Sequence, residues 1–176
     1  MQASIEHVFV LGIDPGLTRL GFGAVRRTGN GRDFVAVAAG VIETEPSEEL
    51  PHRLGILAKE IDGLFEEIHP DVVVVERVFF QTNVRTAMSV AQASGLAIAA
   101  AAVRGIPVMQ MTANEVKMSL TGYGAATKEQ VQAMVARQLG LSQPLKPADV
   151  ADALALAIAH LSAAPVSAAI AKAVAR

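Results

Sequence analysis

The 176-residue chain contains no cysteine. A disulfide framework, a thiolate zinc site and a cysteine nucleophile are therefore excluded, and the composition reads as that of a protein of a reducing, intracellular compartment, expected to be cytoplasmic. A leader pattern is missing too. No basic stretch followed by an apolar run and a small-residue cleavage site opens the chain, and Asp14 with Pro15 interrupts the only apolar stretch near it. Long hydrophobic runs are absent: the most apolar stretches, 95–103 and 151–159, fall well short of the roughly 20 residues of a membrane span and read as buried helices. No Gly-x-Ser-x-Gly context marks an activated serine, and Gly21-Phe22-Gly23 is too short for a dinucleotide fingerprint and reads as strand packing. Charge is sparse at 18%, and hydrophobic residues make up 52%, the balance of an α/β domain with a buried sheet. A chain of this length buries roughly 70% of its unfolded surface as one domain.

Periodicity supplies the elements. Val8 to Ile13 is a short apolar strand closed by Asp14-Pro15-Gly16, and Leu20 to Arg27 and Phe34 to Glu43 alternate as strands around a turn at Thr28 to Gly31. From Ser47 to Ile68, Leu50, Leu54, Leu57, Ile61, Leu64, Phe65 and Ile68 recur at helical spacing, with acids on the other face. Four consecutive valines, Val72 to Val75, predict a strand covered on both faces. A small-residue helix over Thr82 to Val103 and a strand over Ile106 to Met111 follow. Helices are then expected over Glu115 to Leu120, over Thr127 to Leu139 with Thr127 and Gln130 in capping-box positions, and over Pro147 to Ala163. Residues 1–163 read as one domain of order β-β-β-α-β-α-β-α-α-α, and 164–176 as an Ala-rich tail, disordered or loosely helical.

Acids occupy places that packing alone would not choose. Asp14 and Glu76 each follow an apolar strand at its carboxyl end, where open α/β sheets form their ligand crevice. An unpaired buried charge costs several kcal/mol, so a carboxylate abutting four valines is exposed, paired or bound to a metal. Asp149 and Asp152 stand three apart on the last helix, on one face. Their ordinary explanation is the helix dipole; their chemical one is that hard divalent cations take carboxylate oxygens, and two such ions need about four acids from several elements. His160 lies eight residues beyond Asp152, about 12 Å along the axis, and reads as a helix-end residue.

The strings Gly12-Ile13-Asp14-Pro15-Gly16, Val75-Glu76-Arg77-Val78-Phe79 and Ala148-Asp149-Val150-Ala151-Asp152-Ala153-Leu154-Ala155, in this order and separation, resemble the RuvC Holliday-junction resolvases from about Val8 to Leu161. The resemblance implies an α/β, ribonuclease H-like fold: a five-stranded mixed sheet of order 3-2-1-4-5, strand 2 antiparallel, flanked by helices, in a homodimer. It implies that Asp14, Glu76, Asp149 and Asp152 are catalytic and bind two Mg²⁺ ions, for which Mn²⁺ substitutes. Some members carry His where this chain has Asp149. The implied activity is resolution of four-way DNA junctions by paired symmetric nicks that leave 5′-phosphate and 3′-hydroxyl ends, beside a branch-migration complex of RuvA and RuvB. Phe79 matches an aromatic residue used against bases at the junction centre, and Phe80 follows it; in a chain with six Phe and one Tyr the pair suits stacking, Phe79 being read as the exposed member. Lys117 and Lys128 match lysines near the scissile phosphate and bracket a loop, Gly122 to Gly124, expected at the crevice. Arg77 and Arg85 are read as phosphate contacts, and Gln81, Thr82 and Asn83 fall where the family meets DNA.

Other readings fit less well. A ribonuclease H-like enzyme trimming ribosomal RNA precursors usually lacks the Asp149-Val-Ala-Asp152 arrangement, a non-cutting junction binder would lack a carboxylate, and an ATPase of the actin and sugar-kinase superfold needs about twice this length. The net charge of −2 at first argues against a nucleic-acid partner. Its placement does not: residues 43–71 stand at −7, whereas residues 72–176, leaving aside Glu76, Asp149 and Asp152, stand at +7. The acidic segment reads as a solvated helix face far from DNA. Junction binding is therefore expected to weaken as salt is raised from 50 to 200 mM, measured by fluorescence anisotropy; salt-independent binding would contradict phosphate contacts.

Overall fold

The computed structural model describes residues 8–28, 34–77 and 84–174, with side chains described throughout except those of 84–86 and 164–174. The turn residues Gly29, Asn30 and Gly31 lie outside the described residues. Ten elements follow one another: β1 (Phe9–Asp14), β2 (Arg19–Arg27), β3 (Phe34–Glu43), α1 (Leu50–Ile68), β4 (Val72–Glu76), α2 (Val84–Val103), β5 (Val108–Met111), α3 (Ala113–Thr121), α4 (Lys128–Gln138) and α5 (Ala148–Val174). The sheet has the order β3-β2-β1-β4-β5. β2 runs antiparallel to both neighbours, and β1, β4 and β5 are parallel. This is the expected topology.

Alternation along the strands divides the core in two. Leu11 and Ile13 of β1 and Val73 and Val75 of β4 face α1 and α2, packing with Leu57, Ile61, Phe65, Ala93 and Ala97. Val10 and Val74 face the other way, toward Leu154 and Ile158 of α5, behind which Val116 and Leu120 of α3 and Val131 and Val135 of α4 close the layer. The valine run is thus buried on both faces. The acids of α1 lie on its solvent side, where Asp62 and Glu66 clasp Arg104 at 3.0 and 3.1 Å. Arg53, from the same segment, is turned inward and 9% exposed.

From Ala153 to Ala159 α5 is apolar all round because it is enclosed all round, between the sheet and α3 with α4. The helix starts at Ala148, one residue after the expected Pro147, and runs past the expected end at Ala163 to Val174, since alanine has the highest helix propensity and carries the backbone on past Pro165. Among the described residues no helix is long and apolar enough to cross a membrane.

Glycines set how deeply α5 sits. Gly12 and Gly23 are register partners on β1 and β2. A Cβ at Gly12 would lie 2.0 Å from the Ala153 carbonyl oxygen, one at Gly21 2.3 Å from that of Asp149, and one at Gly23 2.6 Å from Leu154 Cγ. Gly21-Phe22-Gly23 is therefore packing, as its brevity suggested, but packing of a helix onto bare backbone. Gly12→Ala should force α5 outward, costing about 2–3 kcal/mol and lowering the thermal midpoint by roughly 5–10 °C in calorimetry. An unchanged midpoint would contradict this contact.

Candidate active site

Ile13 and Val75 are paired in the parallel β1–β4 ladder, so Asp14 and Glu76, the next residues on each strand, leave the sheet side by side at its carboxyl edge. The strand period turns both toward the α5 side. There the first turns of α5, held against Gly12 and Gly21, bring in Asp152. Asp14, Glu76 and Asp152 form one wall of a cleft of about 380 Å³, and Lys117 of α3 and Lys128 of α4 stand on the other, with Val116, Val131 and Leu156 between them.

The electrostatics follow from burial and crowding. Asp14 is pushed up to about 7 by desolvation, then by the charges of Glu76, Asp152 and Asp149. It hydrogen-bonds Glu76, which is itself raised chiefly by burial. Burial and mutual repulsion thus make both carboxyls harder to ionise than free acids. Lys128 Nζ donates to Asp152 Oδ2 at 2.6 Å, and this bond and the surrounding acids raise the lysine. Lys128 opens α4, whose capping box is Thr127 with Gln130. A cation is disfavoured in a first helical turn, so the acids across the cleft, and not the helix, account for its place.

Asp149 stands apart from the cleft lining. Its Oδ2 accepts from Arg19 Nε at 3.1 Å, and Arg19 also pairs with Glu43. Glu43 belongs to the acidic segment, so that segment is not wholly remote from the site, because the β2–β3 register sets Glu43 opposite Arg19. Sequence patterns leave Arg19 out: nothing local marks it, and its partners come from 24 and 130 residues away. Among the described residues no three His, Asp or Glu side chains surround one point closely enough to hold an ion, since Asp152 is turned to Lys128 and Asp149 to Arg19. The Gly122 to Gly124 loop does not line the cleft, and its Tyr123 is exposed. Arg77 is exposed just past β4. Arg85 lies in the first turn of α2, its side chain outside the description, and Phe79, Phe80, Gln81, Thr82 and Asn83 lie outside the described residues.

Comparison with known proteins places this geometry. The family model described as Crossover junction endodeoxyribonuclease RuvC matches residues 10–160. The chain belongs to the RuvC family. A RuvC from Salinispora arenicola, named as a crossover junction endodeoxyribonuclease, is 55% identical over 152 residues, covering 86% of this chain and 86% of its own length. The RuvC structure of Thermus thermophilus matches with a TM-score of 0.84 at 35% identity, covering 91% of this chain and 97% of that one. The same organism's RuvC in complex with a Holliday junction substrate matches at 0.81 and 33% identity, covering 91% and 96%. The fold, with its sheet order β3-β2-β1-β4-β5, is ribonuclease H-like.

The shift of Asp14 has a consequence for stability. Its folded value lies above the ordinary 3.8, so the folded state binds the proton more tightly than the unfolded chain does, and stability falls as pH rises from about 4 to 7. In chelator-containing buffer Asp14→Asn should raise the thermal midpoint at pH 8 by several degrees and lose that advantage near pH 4. An equal effect at both pH values would contradict the crowding of these acids.

Proposed function

We propose that this chain is a metal-dependent endonuclease that resolves four-way (Holliday) DNA junctions by paired symmetric nicks, leaving 5′-phosphate and 3′-hydroxyl ends, in recombination and repair. The observation that carries the reading is the convergence of Asp14, Glu76 and Asp152 in one cleft facing Lys117 and Lys128, in a chain of this family. Their crowding fits a cation: every donor is a carboxylate oxygen, the set hard divalent ions take, and Asp14 is raised first by burial and then by the neighbouring acids Glu76, Asp152 and Asp149. Asp14, Glu76, Asp149 and Asp152 would hold two Mg²⁺ ions, with Mn²⁺ as substitute. Bound there, such ions supply Lewis-acid chemistry, activating water and stabilising the leaving 3′ oxygen.

The chain's own residues do the rest. Lys117 and Lys128 engage the phosphate beside the cut, Lys128 exchanging Asp152 for a phosphate oxygen, and Val116, Val131 and Leu156 restrict water in the cleft. Arg77 and Arg85 contact flanking phosphates, Phe79 and Phe80 stack on unpaired bases, and Asn83 contacts DNA. The nuclease domain spans 1–163, and 164–176 is an Ala-rich tail that extends α5 as far as Val174.

A homodimer is supported by the outer side of α2, where Met88, Ala91, Gly95, Ala99, Ala102 and Val103 are exposed and no charged residue occurs between Arg85 and Arg104. A two-fold axis would set two clefts against two strands of like polarity. The chain works in the cytoplasm beside the branch-migration complex of RuvA and RuvB.

The test is cleavage of a synthetic four-way junction with Mg²⁺. The native chain should nick two opposed strands, and Glu76→Gln should bind the junction yet cut at least 10³-fold more slowly, in line with removal of a group acting on developing charge. Binding without cutting by the native chain would refute the nuclease reading, and equal cutting of linear duplex would refute junction selectivity.

A further inference from the structure

Arg19 stands where two carboxylates from distant parts of the chain meet: Glu43, directly opposite on the β2–β3 ladder, and Asp149, in the first turn of α5. An exposed ion pair is ordinarily worth little, because ordering two long side chains cancels the gain. Here that cost is already met by the fold. Arg53, buried at the start of α1, donates through Nε to Thr44 Oγ1 at 2.9 Å and through its terminal nitrogen to Thr18 Oγ1 at 2.7 Å. Thr44 in turn donates its hydroxyl to the Leu17 carbonyl at 2.6 Å and its amide to the Thr18 carbonyl at 3.0 Å. Thr18 and Thr44 are the chain neighbours of Arg19 and Glu43, so the end of the ladder bearing the Arg19–Glu43 pair is locked from beneath. Gly21, two residues beyond Arg19, meets the Asp149 backbone without room for a Cβ, which fixes the distance between Arg19 and Asp149.

We infer that Arg19 is a positioning residue for Asp149: it holds one carboxylate oxygen, so that this most peripheral of the four acids is presented to a divalent cation in one orientation. The guanidinium suits the task because Nε and a terminal nitrogen serve two carboxylates at once, which an ammonium group does not reproduce. Glu43 offsets its charge, so Arg19 orients Asp149 without acting as a competing cation.

The inference rests on the proposed cation site, and its test reads binding instead of cleavage. Titration of metal-free protein with Mn²⁺ by calorimetry should show affinity about tenfold weaker in Arg19→Ala, the scale on which outer partners of metal ligands act. Arg19→Lys should restore part of it, and the metal-free thermal midpoints of both variants should stay within a few degrees of the native value. Asp149→Asn should weaken binding by a similar factor, and adding Arg19→Ala to it should cost little more, because the two act through one carboxylate. Native-like or tighter binding by Arg19→Ala, or full additivity with Asp149→Asn, would overturn the role of Arg19. Failure of the native chain to bind Mn²⁺ would overturn the cation site itself, and the inference with it.

Discussion

Gly12, Gly21 and Gly23 leave a strip of bare backbone on one face of the sheet, and α5 lies on that strip with its own backbone in contact. Most of the molecule is arranged around this approach. A helix so close to the strands is hidden on that side, and α3 and α4 hide the other, so its side chains from Ala153 to Ala159 are all small or aliphatic. The same approach decides the chemistry. Asp14 and Glu76 reach the carboxyl edge by strand register, but Asp152 reaches them only because α5 is pressed to backbone distance one turn further along.

The acids so assembled repel one another, and the cations the chain provides match them incompletely. Lys128 takes Asp152 and Arg19 takes Asp149, while Asp14 and Glu76, the most buried of the acids, are both pushed up from the ordinary carboxylate range. This is the electrostatic form of a trade between stability and activity: the fold tolerates incompletely compensated negative charge at the cleft where the proposed divalent ions would sit. The two chain cations differ in kind. Lys128 is a flexible stem that can change partners, whereas Arg19 is held on a locked ladder end and shares itself between two acids.

Much of this was legible from the residues. Strand and helix periods predict all ten elements to within a few residues at most boundaries, because the valine run, the heptad-like leucines of α1 and the capping boxes are local signals. The placement of Asp14 and Glu76 was legible too, each being an acid at the end of an apolar strand. What was not legible depends on long-range contact. Gly21 and Gly23 look like any small strand residues until α5 is seen above them, and Arg19 is unremarkable until Glu43 and Asp149 arrive. Arg53 left a faint trace: it shares the spacing of Leu57, Ile61 and Leu64, which sets it on the inner face of an otherwise acid-backed helix. The extent of α5 depended on how alanine-rich backbone behaves beyond Pro165, which the break at that proline obscured.

The cleft has two walls built to different tolerances. The wall bearing Asp14, Glu76 and Asp152 joins sheet to helix through atoms with no slack, so its members have nearly fixed spacing. The wall bearing Lys117 and Lys128 rests on α3 and α4, which meet α5 through side chains such as Val116, Leu120, Val131 and Val135 and one hydroxyl bond from Ser119 to the Ala159 carbonyl. Aliphatic contacts of that kind slide by fractions of an ångström at little cost, whereas backbone seated on backbone does not. The molecule is in this respect a vice with one fixed jaw and one adjustable jaw: the carboxylate side is held by backbone contact, and the lysine side is the one with room to adjust.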